Sequence, residues 1–186
     1  LGEVAAHVLG YVGPITDSEL TRFEGKGYQM GDWIGKTGLE RVYDPTLQGK
    51  DGGYLMQVDA RGRQIRLLRH VSPVAGRDVV LTLDSRLQKL AEQQLQATER
   101  PGAAVLIKPQ TGEILAMASS PGFDPNVFLP LGDSSQRAAL LKNDDKPLFN
   151  RAIQAAYPPG SVFKIVSALA GLEKGIVPEE ERILCT

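Results

Sequence analysis

The stretch "GAAVLIKPQTGEILAMASSPG", residues 102–122, decides the fold class of this chain of 186 residues. Two apolar runs, residues 103–107 and 114–118, flank the turn-forming sequence PQTG at 109–112. Apolar runs on either side of a short turn predict a β-hairpin, because glycine can supply the positive φ that the turn requires. Since both arms are apolar at successive positions, we expect the hairpin to lie in the middle of a sheet with helices packed around it.

The residues on either side of this hairpin predict helices and one further strand. The run "VVLTLD", residues 79–84, reads as a strand, and Asp84 or Ser85 can cap the helix that follows it. Residues 135–142 read as a short helix. One apolar stripe marks the helix after residue 84, at the spacing i, i+3, i+4 and i+8. The stripe consists of Leu87, Leu90, Ala91 and Leu95.

The glycine-rich first third predicts short elements. They are a β-type run at 7–13, a helix within 14–27, a helix around 39–47 broken at Pro45, and a hairpin over 53–68 that turns at 59–62. In the helix within 14–27, Thr16 or Asp17 is the predicted N-cap, with Glu19 in the first turn and Gly25 at the end. Together with the later elements, this order predicts an α+β protein.

Proline, glycine and polar residues cluster at 69–78, and a different pattern begins after them. We therefore predict two domains, residues 1–76 and 77–186.

Composition and charge exclude few classes of function. The chain is 42% hydrophobic and 23% charged, with a formal net charge of −1, which gives no electrostatic case for binding nucleic acid. Its one cysteine, Cys185, cannot form an internal disulfide. The sequence contains neither a run of 18 apolar residues nor a signal peptide. Because it begins at Leu1 and ends without a stop-like composition, we expect both ends to have been cut from a longer protein.

The segment "YPPGSVFKIVSALAGLEKG", residues 157–175, carries the candidate chemistry. A helix from Ser161 to about Lys174 would be apolar nearly all round, which predicts a core helix. Ser161 and Lys164 stand three positions apart and would face the same way in its first turn. Burial and the positive end of the helix would disfavour the ammonium form of the lysine. A neutral amine could then take the serine proton as the oxygen attacks a carbonyl. Ser-x-x-Lys by itself is a weak pattern, and a Ser161 N-cap with a solvated Lys164 is the alternative.

The context of these two residues resembles a known family. "NRAIQAAYPPGSVFKIVSALAGLEKG", residues 150–175, resembles the first active-site motif of the penicillin-binding proteins, and residues 102–128 resemble the hairpin and loop that open their transpeptidase domain. "HVLGYVGPIT", "GKTGLERVYDPTLQGKDG" and "VDARGRQIRLL" resemble the non-catalytic pedestal of the class B enzymes, elongation type. The resemblance covers nearly the whole chain in the family's order.

The resemblance implies part of a dimerisation-like pedestal over residues 1–76 and the first part of a transpeptidase domain over 77–186. It implies a peptidoglycan D,D-transpeptidase with Ser161 as nucleophile and Lys164 as base, and neither a cofactor nor a metal. The implied ligands are stem peptides and β-lactam antibiotics. The implied partners are a membrane glycan polymerase and elongation scaffold proteins. The implied location is the periplasmic side of the bacterial inner membrane, with an N-terminal transmembrane anchor that this chain lacks.

Two of the family's three motifs are missing from this sequence. Neither Ser-x-Asn nor Lys-[Thr/Ser]-Gly follows Lys164, and Lys36-Thr37-Gly38 lies upstream of Ser161 in a stretch that resembles the pedestal. We therefore expect this chain alone to be inactive. The alternatives are a division-type class B protein, a penicillin-sensing receptor domain, and a pedestal that only contacts partner proteins. His7 and His70 have no ligand-spaced partners and are predicted to be structural.

Overall fold

A computed structural model describes residues 2–176 of the protein, so Cys185 lies outside the described residues. The chain divides into two compact units, Leu1–Gln154 and Ala155–Thr186. The α+β class is confirmed by the elements of the first unit. In chain order they are α1 (Ala6–Leu9), β1 (Val12–Pro14), α2 (Asp17–Arg22), β2 (Trp33–Gly35), α3 (Gly38–Val42), α4 (Asp44–Leu47), β3 (Gly53–Val58), β4 (Gln64–Val71), α5 (Ser85–Gln96), β5 (Gly102–Lys108), β6 (Glu113–Ser120), a 3₁₀ turn (Pro125–Phe128), α6 (Ser134–Lys142) and α7 (Arg151–Gln154). The second unit contains a 3₁₀ turn (Gly160–Val162) and α8 (Phe163–Glu173).

The strands pair as three separate two-stranded antiparallel sheets, β1–β2, β3–β4 and β5–β6. Both predicted hairpins are present. In β3–β4 the second strand runs on to Val71, and Gly62 in the turn has φ +78°. In β5–β6 the turn residue Gly112 has φ +75°. Each turn therefore uses glycine in the left-handed region, as the sequence predicts.

The start of the chain is a helix where the sequence predicts a β-type run. Residues 7–9 belong to α1, and only Val12–Pro14 forms a strand. The helix ends at Gly10, whose φ is +85°. A Cβ at Gly10 would lie 2.0 Å from the carbonyl oxygen of Thr37, so the close approach of α3 requires glycine there. This contact joins residues that are distant in sequence, so the local pattern could not show where the helix ends and the strand begins.

Two short helices of the first third are present, but their ends differ from the prediction, and α2 ends at Arg22 and not at Gly25. The Thr16 side chain caps α2 and the Glu19 side chain reaches back to the amide of Thr16, so the predicted cap is a capping box. The predicted helix around 39–47 is interrupted at Tyr43, between α3 and α4, rather than at Pro45. Pro45 instead lies in the first turn of α4, where its missing N–H costs no helical hydrogen bond.

Residues 79–84 do not form the predicted strand. They meet the outer edge of β6 at two points, where the Thr82 hydroxyl donates to Ile114 O at 2.7 Å and the Asp84 amide donates to Leu115 O at 2.9 Å. Helix α5 starts directly afterwards, with the Asp84 carboxylate accepting from the amides of Arg86 and Leu87. Two hydrogen bonds do not make a ladder, so the segment is bonded to the edge of β6 without forming a strand.

The β5–β6 hairpin lies against α5 along β6. Ala116 and Ala118 are completely buried, whereas Val105 and Ile107 of β5 are exposed. Within residues 2–176 the hairpin has no third strand, so the predicted position in the middle of a sheet is wrong for this part of the chain. An apolar sequence indicates that a strand can be buried, but burial itself requires an element packed on it.

Helix α8 is not the predicted core helix. It contains no buried residue, and its apolar side chains are exposed, with Phe163 at 53% and Ile165 at 64%. Its last turn agrees with the sequence, because Gly175 has φ +63° after the C-cap Lys174.

Candidate active site

Ser161 and Lys164 lie at the start of α8. Ser161 is the middle residue of the 3₁₀ turn Gly160–Val162, and Lys164 is the second residue of α8. Gly160 opens the turn with φ +54°, a conformation that the preceding Pro159 cannot adopt. Pro159 and Gly160 therefore have a local role, because they set the backbone conformation immediately before Ser161.

The N-terminal turn of α8 leaves the serine hydroxyl uncommitted to capping. The N-cap residue is Val162, and no side chain caps this helix end. The alternative prediction, in which Ser161 is an N-cap, is therefore not what the structure shows. The free amides of such a helix end are donors that can hold a developing oxyanion.

The predicted burial of the pair is not found. Ser161 and Lys164 are both exposed, as are their neighbours Val162 and Phe163. In the part of the chain that the structure describes, the Ser161 hydroxyl and the Lys164 amine have neither a hydrogen bond nor an ion pair. Both residues lie at the start of the helical segment, as predicted, but the dry surroundings are absent from these residues, and the assignment of Ser161 and Lys164 as catalytic stays a prediction.

The Lys36-Thr37-Gly38 sequence has a structural role, which agrees with its rejection as a catalytic motif. The Lys36 amine pairs with the Glu19 carboxylate, and this hydrogen bond is the main reason that the pKa of Glu19 falls to about 2. Thr37 is the N-cap of α3, and Gly38 takes φ +59° against the backbone of Val8 and Gly10.

A buried glutamine that the sequence analysis missed ties α5 to β6. Gln88 is 1% exposed, and its side-chain amide accepts from Met117 N at 2.8 Å and donates to Met117 O at 2.9 Å. It also donates to Glu92 at 2.7 Å, and the same Glu92 oxygen accepts from Ala5 N at 2.8 Å. Gln88 therefore bonds β6 as a neighbouring strand would. Leu90, which belongs to the predicted apolar stripe, is half exposed. The position of the stripe therefore does not indicate that Gln88 is buried.

The two histidines differ in their surroundings. His7 is half-buried, and its Nε2 lies 2.7 Å from Pro147 O. Burial lowers the pKa of His7 below its ordinary value of 6.5, although the hydrogen bond to Pro147 works in the opposite direction. His70 is exposed and stacks on Tyr54 with ring centroids 4.6 Å apart. Both contacts agree with the predicted structural roles.

Residues 2–176 contain neither a metal-binding cluster nor a membrane-spanning helix. Among these residues, His, Cys, Asp and Glu nowhere form a group of three that could hold a metal ion. The helices described in the same range are all too short or too polar to cross a membrane.

Two family models match the chain in succession. Residues 1–81 match the penicillin-binding protein dimerisation domain, and residues 102–186 match the penicillin-binding protein transpeptidase domain. The predicted order, a pedestal followed by the start of a transpeptidase domain, agrees with the order of these two matches. The boundary between residues 76 and 77 stays a prediction.

Comparisons with individual proteins give the same family. The chain is 44% identical over 176 residues to the peptidoglycan D,D-transpeptidase MrdA of Acinetobacter baumannii, covering 95% of this chain but 26% of that protein. It thus spans about a quarter of the length of this curated relative.

Solved structures also resemble the chain. A complex of a penicillin-binding protein, PBP2, with MreC from Helicobacter pylori matches with a TM-score of 0.80 and 34% identity, covering 98% of this chain and 33% of that one. A peptidoglycan synthase complex described as coordinating polymerisation and cross-linking matches with a TM-score of 0.78 and 37% identity, covering 95% of this chain and 33% of that one.

Proposed function

We propose a function from one premise: the chain belongs to the penicillin-binding proteins, because models of their dimerisation and transpeptidase domains match it in order. The proposed function is that of a peptidoglycan D,D-transpeptidase that cross-links stem peptides during cell elongation. The observation that carries the proposal is the Ser161–Lys164 pair at the uncapped start of α8, inside the residues matched by the transpeptidase model. The names of the relatives, MrdA and PBP2, support the elongation type.

The proposed reaction proceeds through an acyl-enzyme. The Ser161 oxygen attacks the carbonyl of the penultimate D-alanine of a stem peptide while Lys164, as the free amine, takes the hydroxyl proton. The C–N bond then breaks, and the terminal D-alanine leaves as an amine after gaining that proton. An amine of a neighbouring stem peptide attacks the ester carbon next, which forms the cross-link and returns the proton to Ser161. β-Lactams would acylate the same oxygen, because their strained amide imitates the D-Ala-D-Ala bond.

The exposure of Lys164 restricts this proposal to the whole protein. A lysine acts as a base near neutral pH only where its ammonium form is disfavoured, and exposure to water does not do that. The proposal therefore concerns the whole protein, in which further motifs would complete the cleft, and includes the expectation that the 186-residue chain alone reacts poorly.

Partners and location are also proposed from the relatives. One matching structure is a complex of PBP2 with MreC and another is a peptidoglycan synthase complex, which supports a scaffold protein and a membrane glycan polymerase as partners. We further propose that the protein acts on the periplasmic side of the inner membrane, where stem peptides are exposed, and that it binds no nucleic acid.

Labelling with a fluorescent penicillin tests the proposed nucleophile and base. We expect covalent, saturable labelling of the whole protein, its loss in Ser161→Ala, and a fall of at least roughly 100-fold in the labelling rate in Lys164→Gln, because general-base catalysis contributes about 10²–10⁴-fold. Ser167→Ala and Lys174→Gln are matched controls, since both residues are exposed on or beside the same helix. They should label at the rate of the unaltered protein.

Two results would contradict the proposal. One is full labelling of Ser161→Ala, mapped by mass spectrometry to another residue. The other is efficient labelling of the isolated chain at Ser161, which would show that residues outside it are not needed for acylation.

A further inference from the structure

Helix α1 connects parts of the chain that belong to different family matches. The helix itself falls in the dimerisation match, whereas Phe123, Pro147 and Asn150, which it contacts, fall in the transpeptidase match. The His7 ring meets the buried Phe123 ring edge to face, with centroids 5.1 Å apart. All of these residues belong to the unit Leu1–Gln154, so the contact lies within one compact unit.

Two hydrogen bonds of opposite direction attach α1 to residues 147–150. His7 Nε2 lies 2.7 Å from Pro147 O, and since a carbonyl can only accept, that nitrogen carries the proton. In return, Asn150 Nδ2 donates to His7 O at 3.3 Å. Pro147 is almost completely buried and Asn150 is 7% exposed, so these bonds lie in partly dry surroundings, where an unpaired polar group is costly.

His7 also lines a polar cleft between α1, α5 and the end of β6. The cleft has a volume of about 160 Å³, and Ser120, Lys89 and Gln93 are among its other lining residues. Since Lys89 and Gln93 are exposed and a water molecule needs only about 30 Å³, water can enter the cleft. A proton can therefore reach the His7 ring while the protein stays folded.

Four charged side chains lie around the ring. They are Glu3 before α1, Lys89 and Glu92 on α5, and Arg151 on α7. Burial has the largest influence on the pKa of His7 and lowers it below the ordinary 6.5, although the hydrogen bond to Pro147 raises it. The positive charge of Arg151 lowers the pKa further. Glu3 is exposed, and Glu92 already accepts from Ala5 N at 2.8 Å, so neither carboxylate is free to hold an imidazolium.

We propose that His7 makes the attachment of α1 to residues 147–150 sensitive to pH. At neutral pH the uncharged ring suits its half-buried position and donates to Pro147 O. On protonation the ring becomes a cation that water solvates better than this position does, so it is drawn towards the cleft and the attachment loosens. The inference concerns only the unit Leu1–Gln154, and it does not depend on the function of Ser161.

The direction of the pH effect follows from the linkage between proton binding and stability. Because the folded pKa of His7 is lower than the ordinary 6.5, a detached ring binds a proton more readily than an attached one. The attachment is therefore fully stable above pH 6.5 and weakens as the pH falls below that value. The contribution of His7 is lost once the pH is below the folded pKa.

Hydrogen exchange of the whole protein, read by mass spectrometry and corrected for the intrinsic pH dependence of exchange, tests the proposal. His7→Gln keeps an N–H donor of similar reach and does not titrate. The matched control is His70→Gln at the exposed histidine of β4. Residues 108–113, the turn of the β5–β6 hairpin, contain no histidine and serve as the reference within each sample.

Between about pH 7.5 and about pH 5.5 we expect protection of residues 6–10 and 147–152 to fall roughly threefold or more in the unaltered protein and in His70→Gln. In His7→Gln the same segments should stay within about twofold, because no proton is taken up there. Protection of residues 108–113 should not change in any of the three proteins. In addition, NMR of ¹³C-labelled histidine should place the midpoint of His7 below 6.5.

Three results would overturn the inference. They are a His7 midpoint at or above 6.5, unchanged protection of both segments in the unaltered protein, and a fall in His7→Gln as large as in the unaltered protein. If His7→Gln does not fold, the unaltered protein decides through its midpoint and its exchange. In that case a loss of protection at 108–113 equal to that at 6–10 and 147–152 would count against the proposal, because it would indicate general acid destabilisation.

Discussion

The two longer hairpins of this protein share a backbone design and differ in burial. Both β3–β4 and β5–β6 are antiparallel, contain register shifts, and turn through a glycine with positive φ. In β3–β4 every residue except Met56 is exposed. In β6 four residues are buried, whereas its partner β5 stays mostly exposed. Burial therefore differs between the two strands of β5–β6 as well as between the two hairpins.

The difference shows that burial follows from what packs on a strand and bonds its edge. Helix α5 lies along β6, and Gln88 supplies the hydrogen bonds that a third strand would have made to Met117. The sequence of β5 is as apolar as that of β6, yet Ile107 is 56% exposed. An apolar strand can be buried, but it is buried only where a neighbouring element packs on it.

The largest effect is expected from removing the glutamine that makes this difference. Gln88→Leu leaves the N–H and C=O of Met117 without partners beside a buried surface, and each such group costs about 1–3 kcal/mol. We therefore expect the free energy of unfolding to fall by about 3 kcal/mol, measured by urea denaturation of the protein that contains this chain.

Gln57→Leu is the matched control, because Gln57 is an exposed glutamine on β3. Its unfolding free energy should change by no more than about 0.5 kcal/mol. Equal effects of the two substitutions would mean that Gln88 does not act as the substitute strand described above.

A smaller effect, equal in the two hairpins, is expected at the turns. Gly62 and Gly112 have nearly the same φ, and an added Cβ would meet no atom within 4 Å at either. Gly62→Ala and Gly112→Ala should each lower the free energy of unfolding by about 1 kcal/mol, because only the backbone conformation is penalised. Thermal unfolding measures both, and a much larger loss in one hairpin would show that its turn depends on packing.

The smallest effect concerns acid pH and is confined to β3–β4. The Asp59 carboxylate accepts from the amides of Arg63 and Arg61, each at 2.9 Å, and these bonds lower its pKa below the ordinary 3.8, the Arg63 amide contributing most. Because the folded pKa is the lower one, the stabilisation is complete above pH 3.8 and is lost as the pH falls through the folded pKa.

An NMR titration of the Asp59 carboxyl group should place its midpoint below 3.8. In Asp59→Asn the signals of the β3–β4 turn should lose this pH dependence, while those of the β5–β6 turn stay unchanged. A midpoint at or above the ordinary value would contradict the assignment.

Short-range patterns predicted the local structure well. The capping box at Thr16, the cap at Asp84 and the glycines at 62, 112 and 175 all act within a few residues of their own position. Each depends on one backbone conformation or one nearby hydrogen bond, which the adjacent letters of the sequence specify. The larger failures are of another kind. Residues 7–9 form a helix, residues 79–84 form no strand, and α8 is exposed.

The candidate site divides in the same way. The spacing of Ser161 and Lys164 at the start of a helix was readable, because three positions along a helix is a local relation. The surroundings of the lysine were not, because desolvation depends on whatever covers it. His7 was correctly predicted to be structural, but its partner Pro147 lies 140 residues away and no local pattern connects them.

By itself the sequence determined most of the elements, most of their turns and caps, and the family to which the chain belongs. Only the tertiary structure decided which of the apolar faces are covered, that Gln88 completes the edge of β6, and that α1 is attached to the segment leading into α7. The physical reason is the separation in sequence between the residues that interact. Backbone conformations and caps are fixed by neighbours along the chain, whereas burial is a property of contacts between residues that are distant in sequence.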